Sequence, residues 1–370
     1  MIERATGVVS AQLIATFFLA VTLLAGLTVG APAGAMSPLH PVKTVVSGRL
    51  TLSTGSHSGS SNSGSSNSGN WNGSGQIPLA LSQDWTRPNP AITRAILIVH
   101  GRLRNAETYF RTLTEAARAA GQDDGHTLLI APQFLAEIDR DRLTPDLLRW
   151  RGDDWMAGLP ALAPIPASAF DGLDAILLRL ADRRLFPNLT RVTIAGHSGG
   201  GQVVQRYAVL GKAGDRLERE GIAVRYLVAN PSSYAYFKAE RPLPTGGFGP
   251  FNAARCPDFD DWKYGMRHLP PYADPAAALP PAALERRYAT RNVTYLLGGA
   301  DTDPHQAVLD RGCAAEAQGP NRLARGIAYF ADLRRHHPDL AQRLVVVPGI
   351  GHDGRAMLTS AEGKAALFGP

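Results

Sequence analysis

Gly196-His197-Ser198-Gly199-Gly200 sets one serine between a predicted strand and a predicted helix. Residues 191–195 form a short apolar run, and Val203, Tyr207 and Leu210 then fall at i, i+4 and i+7, one face of a helix. A serine at that junction sits on a sharp turn that lifts its hydroxyl above the sheet edge. Gly196 and Gly200 supply the small residues such a turn requires two places to either side. The helix N-terminus just beyond offers backbone N–H groups and a positive dipole end, both suited to a developing oxyanion.

A nucleophilic serine needs a base, a group that orients the base, and oxyanion donors. Candidates stand at the ends of other predicted strands. The apolar run 95–99 leads into His100-Gly101-Arg102, the run 292–297 into Gly298-Gly299-Ala300-Asp301, and the run 344–347 into Pro348-Gly349-Ile350-Gly351-His352. Asp303 rivals Asp301 as the carboxylate. The stretch Asp303-Pro304-His305-Gln306 reads as a helix N-cap, a proline at the first helical position and a capping-box glutamine. That role would occupy Asp303 and leave Asp301 free for the histidine.

From about Gln76 onward, these motifs and their order resemble the α/β-hydrolase superfamily, in its serine esterase, lipase and peptidase branch. The resemblance implies Ser198 as nucleophile, His352 as general base and Asp301 as the carboxylate that fixes the imidazole. It also implies the backbone N–H of Gly199 as one oxyanion donor and that of Arg102 as the second. Arg102-Leu103-Arg104 is more basic than the usual stretch after the His-Gly pair. His100 is expected to shape the oxyanion loop, and His197 to pack or hydrogen-bond locally. His305, His336 and His337 show no metal-ligand spacing, and no phosphate- or dinucleotide-binding fingerprint occurs, so neither a metal nor a cofactor is inferred.

Positioning these residues calls for alternating strands and helices. Further strands are predicted over 128–131 and 224–229. Helices are predicted after Gly101, ending at Gly121, and over 169–185. The pattern implies an α/β fold, a mostly parallel sheet with helices on both faces and the site at the carboxyl ends of its strands. An irregular insertion, residues 231–291, packs nine aromatics between Tyr234 and Tyr272 and is followed by a proline-rich run. It reads either as a lid, with Tyr234, Trp262 and Tyr264 lining the substrate pocket, or as a small core of its own.

The rest of the chain is organised for export. Residues 1–35 hold Arg4, an uncharged apolar stretch from Val8 to about Ala31, and Ala33-Gly34-Ala35. They read as a signal peptide, with an uncleaved anchor as the alternative. Residues 36–75, dominated by Ser, Gly and Asn over 53–75, read as a flexible linker, leaving 76–370 as the catalytic domain. In an oxidising compartment Cys256 and Cys313 are a natural disulfide pair; two buried thiols are the alternative. The net charge of +6 is spread over arginines interleaved with acids, with no basic run among aromatics, so nucleic-acid binding is not expected. A membrane partner is expected only if the N-terminal segment stays uncleaved. The sequence therefore points to a secreted or periplasmic serine hydrolase acting on an ester. A peptidase or amidase of the same fold, or a binding protein on that scaffold, are the alternatives.

Overall fold

A computed structural model describes residues 39–53, 73–274 and 279–369. The expected signal segment and the Ser/Gly/Asn run 54–72 lie outside these residues. Eight strands form one sheet: β1 (Gly48–Ser53), β2 (Ser74–Leu81), β3 (Arg94–Val99), β4 (Thr127–Pro132), β5 (Arg191–His197), β6 (Ala223–Ala229), β7 (Asn292–Gly298) and β8 (Arg343–Val347). Their spatial order is β1-β2-β4-β3-β5-β6-β7-β8. The pairs β1–β2 and β2–β4 are antiparallel, and every pair from β4 to β8 is parallel.

The central strands are largely apolar and buried because both faces are covered. In β3, Ala95, Leu97 and Val99 enter one core cluster while Ile96 and Ile98 enter the other. The first cluster packs against helices α2 (Ala169–Leu180) and α3 (Gly199–Leu210). The second packs against α1 (Ala106–Ala119) and the two C-terminal helices Gly354–Thr359 and Ala361–Phe368. The helix predicted over 169–185 stops at Leu180; Leu185 and Phe186 donate back to the Asp182 carbonyl in a separate turn.

Two expectations need correction. Residues 48–53, placed in the linker, are strand β1, and the segment before them is tied to the core. The Val42 N–H donates to Asp139 Oδ1 at 2.8 Å, and the Val46 N–H donates to Gln133 Oε1 at 3.0 Å. The second is Tyr234, which the lid reading placed in the pocket wall. Tyr234, Tyr236 and Tyr272 are buried, and Tyr234 stacks on Tyr329 with ring centroids 4.6 Å apart. Tyr234 is therefore core and not pocket wall. Cys256 and Cys313 form a disulfide with Cα atoms 5.9 Å apart, closing a sequence separation of 57.

The basic stretch Arg102-Leu103-Arg104 also has a structural cause. Arg104 is fully buried at φ 57° and pairs with Asp139 through both Nε (2.8 Å) and Nη2 (2.9 Å). The same guanidinium donates to the His40 carbonyl at 2.6 Å, so one ion pair joins the loop after β3 to the N-terminal segment. Burial alone would push the Asp139 carboxyl up. Donors from Arg104, Ala136 and Val42 outweigh it and hold the group below its ordinary value. Removing one partner of such a pair leaves the other charge uncompensated. Asp139→Ala is thus expected to cost about 3–5 kcal/mol, readable as a lower denaturation midpoint in urea; an unchanged midpoint would mean that Arg104 finds another partner.

Candidate active site

Ser198 follows the last residue of β5 and precedes the first of α3, with φ 59° and ψ −122°. Positive φ is strained for a residue with a Cβ, and the surrounding backbone enforces it. A Cβ on Gly196 would strike the Gly200 carbonyl, one on Gly200 the Val99 carbonyl, and one on Gly201 would come within 2.5 Å of the Ala229 carbonyl. The Ser198 N–H donates to Ala229 O at 2.9 Å, which locks the elbow to the end of β6.

The structure brings the three expected side chains together. His352 Nε2 lies 2.9 Å from Ser198 Oγ, and its Nδ1 lies 2.8 Å from Asp301 Oδ2. The loops that carry them are cross-braced. Asn230, at the end of β6, accepts from the Gly298 N–H at 2.8 Å and donates to the Gly351 carbonyl at 3.4 Å. Asp303 plays neither of its suggested parts. Its carboxylate accepts from the His305 N–H at 2.8 Å in a local turn, no helix follows, and Gln306 accepts from Arg322 instead of closing a capping box.

The oxyanion candidates also converge. A Cβ built on Gly199 would come within 2.9 Å of the Arg102 backbone nitrogen and 2.6 Å of Met156 Sδ, so the two peptide groups are in contact. The Gly199 N–H lies in the first turn of α3, where no intrahelical acceptor exists. The loop bearing Arg102 is held by its own side chain, whose Nε donates to Asp153 Oδ2 at 2.6 Å. His100 braces it from beneath, with Nδ1 2.8 Å from the Gly101 carbonyl and Nε2 accepting from the Phe134 N–H at 2.9 Å. Those contacts assign the proton to Nδ1. Burial depresses the His100 pKa to about 4, so the ring is a neutral spacer.

Two supports had no signal in the sequence. Arg322, fully buried on helix α4 (Arg322–His336), reaches Asp301 Oδ1 at 3.4 Å, the Ser232 hydroxyl at 3.0 Å and Gln306 Oε1 at 3.0 Å. Tyr109, on α1, bonds His197 Nδ1 at 3.0 Å, while the His197 ring sits 4.8 Å from that of His352. Burial, with His352 nearby, holds the His197 pKa well below the ordinary range, so His197 stays neutral when its neighbour gains a proton. Burial likewise lowers the His352 pKa, against the hydrogen bond that its ring donates to Asp301, which raises it.

Of the tentative lining residues, Trp262 and Tyr264 are half-buried, while Tyr234 is not at the surface. Among the described residues two clusters have metal-ligand types. In one, Cys256 and Cys313 are already joined; in the other, Arg335 bridges Glu240 and Asp332 beside His336.

A carboxylate, a histidine and an elbow serine at the ends of β7, β8 and β5, on a sheet ordered 1-2-4-3-5-6-7-8, fix the architecture. The chain has the α/β-hydrolase fold. Solved structures agree. A poly(3-hydroxybutyrate) depolymerase from Bordetella parapertussis is 24% identical with a TM-score of 0.52, over 79% of this chain and 85% of that one. A poly(aspartic acid) hydrolase from Sphingomonas sp. KT-1 is 21% identical with a TM-score of 0.55, over 79% of this chain and 94% of that one. No protein-family model matches the chain, and no curated protein matches it in sequence.

Three substitutions test the roles within this candidate site. Asp301→Asn is expected to lower kcat on the order of 10⁴-fold by leaving the wrong imidazole tautomer, while Asp303→Asn stays near wild type; the reverse ranking would exchange the two residues. Arg322→Met is expected to move the acid limb of the kcat/KM profile to higher pH, because the Arg322 charge lowers the His352 pKa. An unmoved limb would reduce Arg322 to a packing role.

Proposed function

We propose that this chain is an exported serine hydrolase that acts on carboxylic esters through an acyl-enzyme. The carrying observation is the Ser198–His352–Asp301 relay, with contacts of 2.9 and 2.8 Å. In this reading His352 takes the Ser198 proton as Oγ attacks the substrate carbonyl. Asp301 holds the imidazolium, and the N–H groups of Gly199 and Arg102 receive the oxyanion. Collapse expels the alcohol with the proton from His352. Water then attacks the acyl-enzyme by the same route and frees the acid and Ser198. An intact relay in a strained elbow argues against a purely binding role, since neither the strain nor the buried acid is of use without turnover.

Esters are favoured because an alcohol leaves a tetrahedral intermediate more readily than an amine, which must first be protonated. The amide reading has one observation of its own, the likeness to a protein titled a poly(aspartic acid) hydrolase. Export rests on the Cys256–Cys313 disulfide, a bond that persists in oxidising compartments, together with the apolar leader ending in Ala33-Gly34-Ala35. Among the described residues no helix is long and apolar enough to cross a membrane.

Two measurements test the reading. Ser198→Ala is expected to abolish labelling by a fluorophosphonate probe and to lower ester turnover by about 10⁴-fold or more; turnover near wild type would remove Ser198 from the chemistry. His352 must be neutral to act as base. With its pKa lowered by burial, the acid limb of kcat/KM should have its midpoint below the ordinary histidine value of about 6.5. A midpoint above that value would assign the limb to another group.

A further inference from the structure

Residues 261–264 are tied to the short turn Asp154–Ala157. Trp262 Nε1 donates to the Ala157 carbonyl at 2.7 Å. Arg206, fully buried on α3, donates through Nε to the Lys263 carbonyl at 3.3 Å and through Nη1 to the Met156 carbonyl at 2.9 Å. Met156 in turn lies against Gly199. One arginine therefore fixes the backbone of Lys263 to the wall beside the nucleophile.

The two aromatics around it are committed inward: Trp262 packs on the main core, and the Tyr264 hydroxyl donates to Asp310 Oδ2 at 2.8 Å. Lys263, between them, remains half-buried. Its ammonium lies 5.5 Å from the Tyr264 ring centroid, and Asp310, Arg206, Asp153 and Asp154 are the charges that act on it. Among the described residues no carboxylate lies within ion-pair distance of it. Two of the three acids are already engaged: Asp310 accepts from Tyr264 and from the Gly312 N–H at 3.0 Å, and Asp153 is held by Arg102 at 2.6 Å. Asp154, the remaining one, acts on Lys263 without reaching ion-pair distance. Burial also disfavours the charged form of Lys263. A partly desolvated cation with no direct counter-ion is stabilised by any anion that enters beside it.

We infer that Lys263 forms an anion-recognising subsite beside Ser198, which makes the enzyme selective for esters that carry a carboxylate. This rests on the serine-hydrolase reading and adds the substrate class to it. The ammonium pairs with the free carboxylate of a half-ester while the ester carbonyl faces Ser198 Oγ. The arrangement suits the half-ester of a diacid, or an oligomer with an acid terminus, over a neutral acyl chain.

The experiment compares mono-p-nitrophenyl glutarate with p-nitrophenyl valerate, of equal chain length, at neutral pH and low salt. Wild type is expected to prefer the anionic ester in kcat/KM by about tenfold or more, and the preference should shrink as salt screens the pair. Lys263→Met should narrow the ratio at least tenfold, Lys263→Arg should keep most of it, and Lys263→Glu should invert it. A wild-type ratio near one, or a ratio that Lys263→Met leaves unchanged, would overturn the subsite and leave the hydrolase reading standing. Turnover of neither ester, together with no fluorophosphonate labelling, would overturn both.

Discussion

Everything at this site depends on how closely the backbone packs around the elbow. Gly196, Gly200 and Gly201 allow α3 to press against the carbonyls of Val99 and Ala229 with no side chain between. That contact leaves Ser198 no relaxed conformation, and it sets the start of α3 against the loop after β3. The positions of Ser198 and of the Gly199 and Arg102 peptides therefore share one cause. A Cβ at any of the three glycines would separate the strand from the helix and move the hydroxyl and both peptides together, which is why the turn is built from glycine rather than alanine.

Around this rigid point the charges are sorted by burial. Three arginines sit near the relay with almost no exposure, and each is held by fixed acceptors. Arg322 touches Asp301 and Ser232, Arg325 donates to the carbonyls of Ser232 and Asp310, and Arg206 spans Met156, Gln202 and Ser233. The histidines beside the relay, His100 and His197, are kept neutral by the same burial. Positive charge can therefore develop on His352 without a protonated histidine beside it, and Asp301 is its direct partner. Arg322 opposes that charge from behind Asp301, which favours an imidazole ready to accept a proton over one already holding it.

The sequence reveals best what is local. The strands of the parallel sheet are continuous apolar runs, and the elbow and the two loop ends with Asp301 and His352 follow directly from them. Ser198, Asp301 and His352, which the structure brings together, each lie within a few residues of a strand end. What was hidden is long-range. Arg322 lies 21 residues from Asp301, Tyr109 88 from His197, and Arg104 35 from Asp139; an arginine in a helical pattern carries no mark of whether it faces solvent or a buried carboxylate. The aromatic insertion left two readings open for the same reason. Aromatic density reports burial, and only tertiary structure shows that Tyr234 is buried under Tyr329. Asp303 shows the converse error, a convincing local cap signal in a segment whose turn goes no further than His305.

The disulfide ties these strands of argument together. Closing a loop of this size restricts the unfolded chain by about 4 kcal/mol in the entropy model, but its position matters more than its size. Cys256 precedes the segment that carries Lys263, and Cys313 follows Asp310, whose side chain accepts from Tyr264 and whose carbonyl accepts from Arg325. The bond thus fastens the segment of Lys263 to the one that runs on from Asp301 toward Arg322. Without it, two stretches distant in sequence would hold one another through single hydrogen bonds, each of modest net strength in water. With it, Lys263 and Asp301 belong to one covalently closed loop, held in register by the bond and by the contacts of Asp310.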